Sequence, residues 1–191
     1  MGMNARNWLG GAATAALVVT ALATSGRVAA AQGAGTMTHN GVAMNVKGVV
    51  AVWDAKRPAV AFYLLPFEPT AAEVALLQKR DTMWLLEKDR TDPNMWKPMP
   101  YGSLTLNWSF EPKAVGDLTK AWTDVYSFAI GRPNSNLNFS LTGGELKGTL
   151  GGPLQEGSLV TLATTGQGEM EKDKLSWNVK LTAKLLPALA R

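Results

Sequence analysis

The sequence predicts an all-β protein: an antiparallel β-sandwich, or a partly closed β-barrel, of about nine strands with one short inserted helix. Three observations predict it. Apolar and polar residues alternate with period two in one segment after another. Clusters of Gly, Pro, Asn and Asp separate those segments. Only one stretch carries a helix-start signature.

The chain begins with a different kind of segment. Met1 to Trp8 is a short polar start containing Arg6, and Leu9 to Ala23 is an apolar run of Ala, Leu and Val. Val28-Ala29-Ala30-Ala31 then presents small residues at the spacing a signal peptidase reads. Residues 1–31 are therefore expected to be a cleaved secretory signal peptide. The apolar run is about 15 residues, short of the ~20 that span a hydrocarbon core. The expected location is secreted or periplasmic, with no membrane span left after cleavage. Residues 32–45 (QGAGTMTHNGVAMN) show little periodicity and read as a flexible leader. Residues 46–191 then form a single β-sandwich domain.

Val46 to Trp53 and Ala59 to Leu65 are apolar on both faces, with Asp54-Ala55-Lys56-Arg57-Pro58 between them. They read as a hairpin of deeply buried strands. Thr70-Ala71-Ala72-Glu73 is a capping box, and Val74 and Leu77 follow it as an apolar stripe. Met83 to Glu87 reads as a strand and Asp89 to Pro100 as a long polar loop. Leu104, Leu106, Trp108 and Phe110 alternate with Ser103, Thr105, Asn107 and Ser109. Trp122, Tyr126, Phe128 and Ile130 share a face, as do Leu137, Phe139 and Leu141. Thr142-Gly143-Gly144-Glu145 turns into a strand over 146–150, and Ser158 to Thr165 is the next. The clearest strand is the last: Leu175, Trp177, Val179, Leu181, Ala183 and Leu185 face one way, and Lys174, Ser176, Asn178, Lys180, Thr182 and Lys184 the other.

Composition narrows the function. The chain has no Cys, which removes thiol nucleophiles, disulfide exchange and thiolate metal sites. It has a single His, His39, so a multi-histidine zinc site is impossible and a Ser-His-Asp triad has one candidate base. With Arg6 and Arg27 in the signal, the excess of 19 Lys and Arg over 15 Asp and Glu shrinks, and the two signs are interspersed. That argues against nucleic acid as a partner. The acids Glu87, Asp89 and Asp92 alternate with Lys88 and Arg90, the pattern of a solvated face rather than a catalytic pair. The glycines at 143, 144, 148, 151 and 152 flank strands, so no phosphate loop is indicated. No enzyme activity and no cofactor are expected.

Tryptophan is abundant, with seven in the chain. Trp96 stands apart, because it lies in a Pro-rich polar loop. The expected function is therefore non-catalytic binding of a partner protein or ligand, with Trp96, Met95, Met99 and Tyr101 as the contact residues. The alternative is a carrier that holds a small apolar ligand in a barrel cavity. A second alternative is a periplasmic soft-metal protein that binds copper through His39, Met37 and Met44. Met37-Thr38-His39 has Met-x-His spacing, and thioether and imidazole ligands suit Cu(I).

Overall fold

The computed structural model describes residues 32–56, 59–98, 100–107, 128–130, 147–170 and 172–191. The expected signal peptide, Trp108, Trp122, the 136–145 segment and Met99 lie outside the described residues. Within them the protein is all-β, with nine strands and two short helices in a mixed sheet that does not close into a barrel.

Two sheets are joined by one strand. The first is β2 (Val42–Asn45), β1 (Gln32–His39), β9 (Asp173–Pro187), β8 (Leu159–Met170) and β7 (Lys147–Gly151), all antiparallel. The second runs from the end of β9 to β3 (Gly48–Asp54), β4 (Ala59–Leu65), β5 (Gly102–Asn107) and β6 (Phe128–Ile130). The β9–β3 contact is parallel, with Ala51, Val52 and Trp53 opposite Leu185, Leu186 and Pro187. A purely antiparallel arrangement is thus broken at one seam. Pro187 ends the ladder there, where its missing N–H costs nothing.

β9 obeys the alternation read from its sequence. Leu175, Trp177, Val179, Leu181, Ala183 and Leu185 are all buried, and the residues between them are exposed. They face Val49, Ala51, Trp53, Val60, Phe62 and Leu64 of the second sheet to form the sandwich core. β3 and β4 are buried on both faces, because the helices cover their other side. Val50, Val52, Ala61, Tyr63 and Leu65 pack there with Val74, Leu77 and Leu85. The fully apolar strands of the sequence are the middle layer of three.

The first helix, α1 (Ala71–Gln78), starts with the expected capping box: the Glu73 amide donates to Thr70 Oγ1 at 3.3 Å, and the Thr70 amide donates to Glu73 Oε2 at 2.7 Å. It ends in a Schellman motif, in which the Asp81 amide donates to Leu76 O and the Arg80 amide to Leu77 O. Arg80 takes the left-handed conformation (φ 57°) usually given to Gly and uses it to reach Asp54 Oδ2 at 3.0 Å.

Two expectations are corrected here. Residues 84–91 are a second helix, α2 (Trp84–Thr91), not a strand from Met83 followed by a loop from Asp89. Asp81 Oδ1 accepts from the Met83 amide and so sets the turn that starts it. Leu85 alone is fully buried, and the polar run Glu87 to Arg90 consists of helix formers. Lys88 Nζ lies 2.9 Å from Glu73 Oε1 and 4.1 Å from the Phe67 ring, tying α2 to the start of α1. The supposed flexible leader is also ordered structure: β1 and β2 form a hairpin across the two-residue turn Asn40-Gly41, both with positive φ. That is the backbone a tight hairpin requires, and Asn-Gly is the pair that adopts it most readily.

The inward and outward faces of β9 give the first prediction. Leu181→Ala is expected to lower unfolding free energy by about 3 kcal/mol, whereas its neighbour Thr182→Ala changes it by under about 0.5 kcal/mol, both read from urea unfolding. The cap gives a second. Burial acts to raise the Glu73 carboxyl, but the Thr70 amide and hydroxyl and the Lys88 ammonium outweigh it and hold the group below its usual value of 4.5. A depressed carboxyl stabilises the fold above that value, and the contribution is lost as pH falls below it. Glu73→Gln is expected to flatten that acid limb of stability against pH in parallel urea titrations.

Candidate functional site

The Asn40-Gly41 turn fixes what lies opposite what. His39 pairs with Val42, Thr38 with Ala43, and Met37 with Met44. Met37 and His39 are two apart on β1 and share its inner face, and both are buried. Met44, opposite Met37, is buried on the same face. Met37 is fully covered because β5 brings a glycine against it: a Cβ on Gly102 would overlap Met37 Sδ and Cε.

His39 is tied down at one nitrogen. Its Nε2 lies 2.5 Å from Asp173 Oδ1, at the start of β9. A carboxylate only accepts, so Nε2 is the donor. The same Oδ1 accepts from Asn40 Nδ2 at 2.9 Å. The Asn40 amide donates to Lys174 O, and the Lys174 amide donates to Asn40 Oδ1, both at 2.8 Å. The β1–β2 and β8–β9 turns are thus locked together by four hydrogen bonds centred on His39, Asn40, Asp173 and Lys174. The other ring nitrogen, His39 Nδ1, is buried with no hydrogen-bond partner. In the neutral ring it carries a lone pair.

Trp96 closes this end of the sandwich. Its ring meets His39 edge-on, with centroids 6.3 Å apart and planes at 88°. Its Nε1 donates to Val42 O at 3.2 Å. The segment before it is pinned by local bonds: Asp92 Oδ1 accepts from the Asn94 amide at 2.8 Å, Asp92 O accepts from the Met95 amide, and Lys97 Nζ donates to Asp89 O.

Three of the four expected contact residues, Trp96, Met95 and Tyr101, therefore face inward, and Met99 lies outside the described residues. Trp96 and Met95 are each only 4% exposed, and Tyr101 is 8% exposed. Trp96 belongs to the sandwich core, whereas Met95 and Tyr101 belong to the layer under the helices. Tyr101 packs near Tyr63, with ring centroids 6.3 Å apart. Burial pushes the Tyr63 phenol up to about 12, with the neighbouring Tyr101 adding to the effect, and raises the Tyr101 phenol as well. These phenols act as packed, uncharged groups. His39, Met37 and Met44, by contrast, are brought together with Trp96 on one face.

Two grooves lie elsewhere among the described residues. One, of about 580 Å³, is lined by Ala34, Thr149, Thr161, Ala163, Lys180 and Thr182. The other, of about 590 Å³, lies beside the helices and is lined by Lys79, Arg80, Asp81 and Arg191 among others. Both are open and polar in part, unlike an apolar carrier's cavity. Between the sheets, Phe62, Leu64 and Met37 fill the space. Among the described residues no helix is long and apolar enough to cross a membrane. No three acidic, His or Cys side chains cluster there for a metal.

Sequence reasoning missed Asp173 and Asn40 as partners of His39. Asp173 is 134 positions away, and no local pattern announces it. Asn40-Gly41 was the available signal, since a two-residue turn alone places Met37 opposite Met44. Comparison with protein families, with characterised proteins and with solved structures finds no match, so the reading of function rests on the chemistry of this site.

The burial of Trp96 predicts a core phenotype. Trp96→Ala is expected to lower unfolding free energy by about 3–5 kcal/mol in chemical denaturation. A variant that unfolds like the parent would place the ring on the surface.

Proposed function

We propose that this chain is an exported, non-catalytic binding protein that takes its ligand at the hairpin end of the sandwich, where His39 meets Trp96. One observation carries the reading: His39 Nδ1 is buried without a partner, beside an edge strand. An unsatisfied buried polar atom costs about 1–3 kcal/mol, and a group held at that cost calls for a role. The strand beside it has four residues and, among the described residues, pairs with β1 alone. Its Val42 and Ala43 are exposed, and short edge elements are where local opening concentrates. Export is supported by the pattern of residues 1–31.

Trp96 has the place of a wall in this reading, not of a protruding anchor. The non-catalytic reading is supported by His39 having its carboxylate at Nε2 but no hydrogen-bond partner at Nδ1, where a triad would carry its hydroxyl.

Native mass spectrometry of the exported chain, purified gently from its producing cell, tests the reading. The expected result is an adduct on the wild type that is absent from His39→Gln, with circular dichroism showing both folded. Identical bare chains for both would overturn it.

A further inference from the structure

We propose that His39 Nδ1 and the thioethers of Met37 and Met44 form a site for a soft monovalent metal ion, Cu(I), with the Trp96 indole beside it. The inference rests on the binding reading above and names the ligand of that site.

The donor set argues for the ion. Three candidate ligands come together from one hairpin: Met37 and His39 on the inner face of β1, and Met44 opposite Met37 on β2. Two thioethers and one imidazole are soft to borderline donors, and such sets favour Cu(I). Zinc takes thiolates, several imidazoles or carboxylates; this face carries no thiolate and one imidazole, and its carboxylate, Asp173, is already bonded to His39 Nε2 and Asn40 Nδ2. Calcium and magnesium need oxygen ligands.

The orientation of the imidazole also fits. A metal-binding His commonly gives its second N–H to a carboxylate, which fixes the tautomer and raises the basicity of the ligating nitrogen. Here Nε2 donates to Asp173 Oδ1 at 2.5 Å, and the nitrogen left without a partner is the buried one. The His39 side chain is 9% exposed, so this lone pair is held away from water. Asn40 Nδ2 steadies the same carboxylate oxygen at 2.9 Å.

Charge decides between oxidation states. Burying an ion is costly unless a counter-charge is close. Asp173 supplies one negative charge one hydrogen bond from the ring, and the nearby Lys174 ammonium is turned toward Glu169, 3.7 Å away. A single positive charge is thereby balanced, whereas a divalent ion would leave one charge uncompensated. Trp96 packs on His39 in a T-shaped contact and closes the site from solvent. Gly102 lets the Met37 thioether pack against β5, since a side chain there would collide with the sulfur. The ion would arrive through the short β2 edge.

The test uses the full exported chain under reducing conditions, with a chromophoric Cu(I) chelator as competitor and Trp fluorescence as a second signal. The wild type is expected to withdraw a stoichiometric amount of Cu(I) and to show quenched fluorescence. Met37→Leu and Met44→Leu conserve volume, so each is expected to keep the melting temperature within a few degrees while binding Cu(I) more weakly. Asp173→Asn tests a positioning residue and is expected to weaken binding by about 10-fold. Copper X-ray absorption should report both sulfur and nitrogen neighbours.

The inference is overturned if folded wild type withdraws no Cu(I), if the double Met→Leu variant binds like the parent, or if only nitrogen and oxygen surround the ion. If copper fails while the mass adduct still depends on His39, the soft-metal assignment falls and the binding reading stands. If neither copper nor any other adduct depends on His39, both fall.

Discussion

Everything in this fold hangs on β9. Its residues 175–182 lie between β1 and β8, and its last three align with β3. One strand therefore belongs to both sheets and sets the register of each. A strand's side chains alternate with a period of two, so a slip by one residue would turn Leu175 through Leu185 outward together. The slip is forbidden because these six residues fill the sandwich opposite Val49, Phe62 and Leu64. The strand is held at both ends: Asp173 and Lys174 are bonded to the β1–β2 turn, and Pro187 O accepts from Gln78 Nε2 of α1 at 2.9 Å. The Leu189 amide continues the clamp to Gln78 O. Helix, sheet seam and hairpin site are thus connected through one continuous element.

The strength of that element explains which parts of the fold were legible in the sequence. β9 has a wet outer face and a dry inner one, so its alternation is unbroken and reads directly. β3 and β4 show no alternation because both their faces are covered, and an apolar run at that length is what a middle layer looks like. The capping box of α1 is a local device, with both its bonds made within four residues, so it was visible too. The helix α2 was not. Trp84-Leu85-Leu86 resembles a strand, and only Leu85 is fully buried; the helix is decided by the Asp81 turn and by the Lys88–Glu73 pair, neither of which is a periodic signal.

β1 hid for a different reason. Its inner face is Gly33, Gly35, Met37 and His39, and glycine carries no apolar signature. The two glycines face Val49 and Val179, where a Cβ would be crowded. They mark close packing rather than looseness, and composition alone makes the two look alike. The Asn40-Gly41 pair was the counter-signal. The candidate site was half legible. The residue types of the proposed site could be read from Met-x-His spacing, but the partner of His39 comes from the far end of the chain. Trp96 misled in the opposite direction. A large ring in a polar loop can either protrude or fold back, and the choice depends on whether Asp92 and Lys97 hold the segment down, which they do.

His39 is the residue the packing argument cannot absorb. Its neighbours on the inner face, Met37 on β1 and Leu175 on β9, are apolar and fully accommodated. An apolar residue at 39 would fill the same space and leave no lone pair without a partner. It would also release Asp173 from holding an imidazole. The tie between the two turns does not need the ring, because Asn40 alone bonds both Asp173 and Lys174. Stability therefore gains nothing evident from the nitrogen at Nδ1. What the nitrogen gains from the fold is definite: a fixed tautomer, exclusion of water, two methionines on the same face and an indole in T-shaped contact with the ring. Those are the conditions that raise affinity for a soft cation and not the conditions that strengthen a core. The hairpin end thus departs from the economy that governs the sandwich core described around it.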